Sequence, residues 1–176
     1  MPPLKLVRLF PSYARFEGDI GSLSVADSLC ANTAAGLALD CSGGVFAMLS
    51  SCGSPTDCGA PLRRFGVPVI ASWDTRPIYA LSGTLVANSF ASLRTTSGNV
   101  LAATLSKAGV LSSDVFWTGA GTGGLADGYD CAGWTSQAKM STGNIGATDV
   151  VTDKAVSDGV DSCLTALYFL CACSDQ

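Results

Sequence analysis

The sequence predicts a single α+β domain with few helices and many short strands. Three observations carry that reading. The chain has 176 residues and 48% apolar content, enough to fill one sizeable core and too apolar for a disordered segment. Its apolar runs are short and are punctuated by 20 glycines and many serines. It also holds eight cysteines and no histidine, which points to covalent staples in an oxidising compartment. Residues 1–176 show no internal repeat and no dividing linker, so they read as one domain.

The elements follow in chain order. Leu4 to Phe10 alternates Leu4, Val7 and Leu9 with Lys5 and Arg8, and reads as an edge-type strand. Ser24 is placed to cap a helix, with Asp27 three residues on as a weak capping-box partner. Val25, Ala26, Leu29, Cys30 and Ala34 form its apolar stripe, and Gly36 is its stop. Gly43-Gly44 opens Val45 to Leu49, a short buried strand or turn. Val67 to Ala71 is a second apolar run, kept short by Gly66 and Pro68. Asp114 to Thr118 and Leu167 to Cys173 read as core strands, and the remainder as loops.

Charge and composition exclude several functions. The net charge is −4, and Arg63-Arg64 is the only adjacent basic pair, so no basic stripe exists for nucleic acid, heparin or an anionic membrane. The longest apolar run, Ala166 to Ala172, is far too short to span a bilayer. The first ten residues lack a signal-peptide core, so the expectation is a removed leader or a domain of a longer polypeptide. Without histidine, no hydroxyl has its usual activating base, and no pair among the 13 aspartates stands out as glycosidase carboxylates.

Zinc would want paired short cysteine spacings, and neither Cys171-x-Cys173 nor Cys52 to Cys58 is C-x-x-C. Structural disulfides are the better reading. Cys171 and Cys173 lie two apart on a strand, point to one face and should take separate partners. Cys52 and Cys58 enclose a short loop and pair locally. Spacing alone leaves on the order of a hundred pairings open for eight cysteines.

A family resemblance enters through a series of short motifs. Ala26-Asp27-x-x-Cys30, Val45-Phe46-Ala47-Met48-Leu49-Ser50-Ser51 and Val67-Pro68-Val69-Ile70 come first. Val115-Phe116-Trp117-Thr118-Gly119, a glycine-rich turn and Tyr129-Asp130-Cys131-Ala132-Gly133-Trp134-Thr135 follow. Ser162-Cys163 and Leu167-Tyr168-Phe169-Leu170-Cys171 close the series. In this order the motifs resemble the endostatin domain of collagens and bacterial endostatin-like surface proteins, over about Leu4 to Cys173. The resemblance implies a C-type-lectin-like fold: a twisted, mainly antiparallel sheet, few helices, long loops, termini close together and nested disulfides. It implies Cys30–Cys171 and Cys131–Cys163, closing loops worth about 5 and 4 kcal/mol on the chain-entropy model. Cys41, Cys52, Cys58 and Cys173 fall outside the family's core set, and we pair Cys41 with Cys173 and Cys52 with Cys58. The family's zinc histidines are missing, the six arginines are dispersed, and the sugar-site triplets of C-type lectins do not occur.

Several motifs have plainer readings beside the sharp ones. Gly119-x-Gly121-x-x-Gly124 matches the dinucleotide fingerprint, but Leu125 to Asp130 is a poor helix start, so a turn is the better reading. Asp127, Asp130, Asp149, Asp153, Asp158 and Asp161 make calcium the one candidate cofactor, against a solvated acidic loop as the usual outcome. Trp117 and Trp134 fit core packing. Trp73, Asp74 and Arg76, together in a predicted loop, are contact candidates, with Asp127 and Asp130 as the others. The expectation is a secreted or cell-surface, non-enzymatic binding or adhesion domain. It would contact an extracellular protein or glycan through loops 81–110 and 119–130 on a rigid scaffold. A subunit of an extracellular fibre, appendage or coat, joining copies of itself, is the alternative, and an aspartate-based hydrolase a distant third.

Overall fold

The computed structural model of the chain describes residues 5–52 and 65–175. Strands β1 (Val7–Pro11), β2 (Val45–Ala47), β3 (Ile78–Ala80), β4 (Leu85–Ala87) and β8 (Leu170–Ser174) form a sheet ordered β2-β8-β1-β3-β4. Strands β5 (Val115–Trp117), β6 (Thr142–Ala147) and β7 (Gly159–Ser162) form a second, antiparallel sheet. The pairing is mainly antiparallel; β1 with β3 is the parallel exception. With helix α1 (Leu23–Gly36), this is a small α+β domain with two sheets and few helices. Among the described residues no helix is long and apolar enough to cross a membrane.

Strand alternation divides the interior. Leu170 and Ala172 of β8 join Val7, Leu9, Phe46 and Ile78 in one core. Cys171 and Cys173 face the other way and join Phe10, Ala47 and the buried helix residues Ala26, Cys30 and Ala34. The first sheet is therefore covered on both faces. That overturns the edge-strand reading of β1, which lies at the sheet's centre, hydrogen-bonded to both β8 and β3. Its basic residue does not need an edge: Arg8 remains part-exposed and reaches Asp175 at 3.4 Å.

The helix begins earlier than its Ser24 cap predicted. Ser22 is the cap, its Oγ accepting from the Val25 N–H at 3.3 Å, while Ser24 sits in the first turn with its Oγ 2.9 Å from that of Ser22. Asp27 forms no capping box; its Oδ1 accepts from the Ala47 N–H at 2.8 Å and fastens the helix to β2. Gly36 is the last helical residue, as the sequence suggested. The reversal itself uses Ala38 at φ 52°, with the Leu39 N–H bonded to Ala34 O and the Ala38 N–H to Ala35 O. A Cβ is unfavourable there, so we expect Ala38→Gly to raise stability by about 0.5–1 kcal/mol in urea unfolding.

Val67 to Ala71 is no strand. Val67 and Val69 point to solvent, Pro68 offers no N–H, and the segment turns into a short 3-10 helix, Ala71–Trp73. The strand read at Leu167 begins only at Leu170; Leu167 and Phe169 make single bridges to Phe16 and Trp117. Strands β3, β4, β6 and β7 lie in stretches read as loop. In β6 the glycines are there for close approach: a Cβ on Gly146 would fall 2.4 Å from Ala155 O, and one on Gly143 2.9 Å from the Trp117 ring.

Three disulfides are described. Cys30–Cys171 and Cys41–Cys173 tie α1 and the segment after it to the last strand, and Cys131–Cys163 lies nested inside both loops in sequence. Cys171 and Cys173 do share a face and take separate partners. The pairing of Cys52 with Cys58 lies outside the described residues, because Cys58 does.

Candidate functional site

The helix has a second stripe besides the one it buries. Leu29, Asn32, Thr33, Gly36 and Leu37 recur at helical spacing and line an open groove of about 860 Å³. Four further segments complete it. Pro11, Ser12 and Tyr13 follow from β1; Ser12 N–H donates to Phe169 O, while its Oγ donates to Ala14 O and accepts from the Phe169 N–H. That double use of Ser12 fixes the turn and leaves Tyr13 outside, 64% exposed.

The tip of the β3–β4 hairpin supplies Leu81. Gly83 N–H closes the turn on Ala80 O, with Gly83 at φ 85°. Ser82 Oγ donates to Ala108 O at 2.9 Å, so the tip is moored to the segment 104–112. That segment is itself a helical turn: Thr104 Oγ1 accepts from the Lys107 N–H, and Gly109 reverses the chain at φ 73°. It contributes Ser106, Gly109, Val110, Leu111 and Ser112. Tyr168, just before β8, completes the lining, and Arg15 lies over its ring with the guanidinium carbon 5.4 Å from the centroid. Leu37 and Leu81 stand 47% and 46% exposed, large apolar side chains left open to water.

The five residues singled out as contacts are placed otherwise. Trp73 is 1% exposed, its ring 5.4 Å from that of Phe46, so it is core and offers no surface to a ligand. Arg76 is part-buried, its Nη1 donating to Ser174 Oγ at 2.9 Å. Asp74 holds Arg94 through two hydrogen bonds of 2.6 and 3.1 Å, which keep its carboxyl below the ordinary range and push the Arg94 guanidinium up. Asp127 is exposed but accepts from Asn144 Nδ2 and the Tyr129 N–H.

Asp130 is 1% exposed and accepts from Ser51 Oγ, the Cys52 N–H and the Gly133 N–H. Its carboxylate is spent on the fold. It anchors a left-handed turn in which Cys131, Ala132, Gly133 and Trp134 have φ of 53°, 57°, 70° and 65°. Trp117 and Trp134 are buried, as read from the sequence, their rings 5.9 Å apart.

Because Asp74 binds better ionised, its contribution is complete above the unfolded carboxyl pKa and fades as pH falls through its lower folded value. The side chains are 38% and 30% exposed, so screening holds the pair to about 1 kcal/mol or less. We expect Asp74→Asn to cost that much near neutrality and progressively less as pH falls through the lowered folded value, measured as the difference in urea stability across the acid range.

Of the two predicted binding loops, 81–110 lends its two ends to the groove and 119–130 lends no lining residue. That second stretch is a turn, as expected, with a short 3-10 piece at Thr122–Gly124 in place of a dinucleotide-binding helix. Among the described residues no three His, Cys, Asp or Glu side chains converge on a metal position, so the six late aspartates do not gather into a calcium site. The groove itself was missed. The available signal was a pair of leucines, Leu37 and Leu81, set at turns where burial is hard to arrange.

No family model and no curated protein matches the chain.

Proposed function

We propose that the chain is a secreted, non-enzymatic binding domain of endostatin-like, C-type-lectin-like type, and that its ligand seats in the groove between helix, hairpin tip and Tyr168. One observation carries this reading: a concavity of about 860 Å³, of the size usual for ligand sites, with Tyr13, Leu37 and Leu81 held open around it. Hydrogen bonds moor the segments that present them, so the surface is formed in advance of binding. The lining contains no carboxylate, amine or thiol, which leaves no general base or nucleophile stronger than a hydroxyl.

The family reading draws support from the disulfides at Cys30–Cys171 and Cys131–Cys163, the pairings that the resemblance implies, and from β1 and β8 lying side by side. Three disulfides suit an oxidising, extracellular setting. The test is a glycan and extracellular-matrix protein array probed with the native chain, with Leu37→Asp/Leu81→Asp, and with Asp127→Asn. Hits that vanish in the leucine variant and persist in the aspartate variant support the reading; hits indifferent to the leucines refute it.

Assembly into a fibre or coat rests on a different surface. Met140 is 93% exposed, and Val160 and Leu164 stand open near it, where β7 forms the outer strand of its sheet. Sedimentation at high concentration decides this: oligomers that dissolve on Val160→Lys would favour the subunit, and a monomer would exclude it.

A further inference from the structure

We infer that the groove takes an amphiphilic carboxylate, an elongated apolar body with a single anionic head. The inference rests on the groove being the ligand site and adds the chemistry of what fills it. The lining is apolar where it is large: Leu29, Leu37, Leu81, Val110, Leu111 and Tyr168. Three of its six hydroxyls are committed to the protein. Ser12 Oγ bonds Ala14 O and the Phe169 N–H, Thr33 Oγ1 donates to Leu29 O at 2.8 Å, and Ser106 Oγ lies 3.3 Å from Thr104 Oγ1. The large side chains of the lining are nonetheless apolar in body, and a hydrocarbon fills such a surface without any donor or acceptor, where a polyol needs many.

The charge comes from Arg15. Arg8 reaches Asp175, Arg76 reaches Ser174 and Arg94 reaches Asp74, whereas Arg15 has no acceptor among the described residues. It is held over the ring of Tyr168, a lining residue, at 5.4 Å, and remains exposed. No acidic side chain lines the groove to compete for it. A guanidinium with free donors at the edge of an apolar surface is complementary to a carboxylate attached to an apolar body.

The experiment is calorimetric titration of the intact, oxidised chain with dodecanoate, dodecanol and dodecyltrimethylammonium, below their micelle-forming concentrations. We expect one dodecanoate per chain, bound about fivefold more tightly than dodecanol, as an exposed ion pair allows. Arg15→Gln should erase that preference and leave dodecanol unchanged, and Leu81→Asp should weaken both by about tenfold or more.

Equal binding of the three probes, or binding indifferent to Leu81→Asp, overturns the inference. So does a dimer that Leu81→Asp dissociates, which would place a second copy in the groove. If dodecanoate fails to bind while array ligands still depend on Leu37 and Leu81, the ligand class is wrong and the groove stands. If the array ligands are themselves indifferent to those leucines, the binding site is wrong.

Discussion

Removing Cys30–Cys171 and Cys41–Cys173 together should destabilise the protein by about 8 kcal/mol, although removing either one alone should cost only about 3 kcal/mol. The two bridges span 141 and 132 residues and run side by side, from α1 and the segment just after it to β8. Either alone closes the long loop in the unfolded chain. With one intact, the second only closes a ring of about 15 residues, made of 30–41 and 171–173, for which chain entropy gives about 3 kcal/mol. Loss of both releases the long loop as well, worth about 5 kcal/mol. The excess of about 2 kcal/mol over additivity is the signature. Guanidinium unfolding of Cys30→Ala/Cys171→Ala, Cys41→Ala/Cys173→Ala and the fourfold variant measures it. Simple additivity, or a cost near 5 kcal/mol for each single removal, would contradict this account.

Asp130→Ala should cost about 4 kcal/mol, the largest effect of any single side chain named here. Its carboxylate gathers three donors from two distant segments in a place shut off from water: Ser51 Oγ at 3.0 Å, the Cys52 N–H at 2.7 Å and the Gly133 N–H at 2.9 Å. Alanine leaves those donors without their acceptor. It also loosens the left-handed turn at 131–134, where Cys131, Ala132 and Trp134 each carry about 1–2 kcal/mol of backbone strain. Asp130→Asn keeps one acceptor oxygen and should cost about half as much. Urea midpoints compared across the two variants check the order, and an alanine variant no worse than the asparagine one would refute it.

How far the sequence could be read depended on how local each signal was. The helix, its glycine stop and the shared face of Cys171 and Cys173 are local signals and they hold; of the helix stripe, Ala26, Cys30 and Ala34 are buried, whereas Val25 stands 42% exposed. The disulfide partners do not follow from spacing, yet the pairings implied by the endostatin resemblance agree with those observed. Position within the sheet was not legible: alternation in β1 looks the same at an edge or a centre until β8 arrives from the far end of the chain. Strand β6 hid because Gly143 and Gly146 are dictated by the rings and backbone pressed against them. Trp73 and Asp130 looked like contact residues because they sit among polar and glycine-rich neighbours, and tertiary packing buries both. The groove draws on residues from five separated segments, so no single window of sequence could show it.

The pairing of Val7 to Pro11 with Ser174 to Leu170 sets a timetable for biosynthesis. Until residues 170–174 have been made, Val7 to Pro11 has only a three-residue parallel partner, Ile78 to Ala80, to lean on. Its five-residue neighbour, Leu170 to Ser174, is translated after every other strand of the domain, so the central ladder closes only once the rest of the domain has been made. A nascent domain of this design stays pliable until its last strand emerges, and the two long disulfides, which need Cys171 and Cys173, cannot close before then.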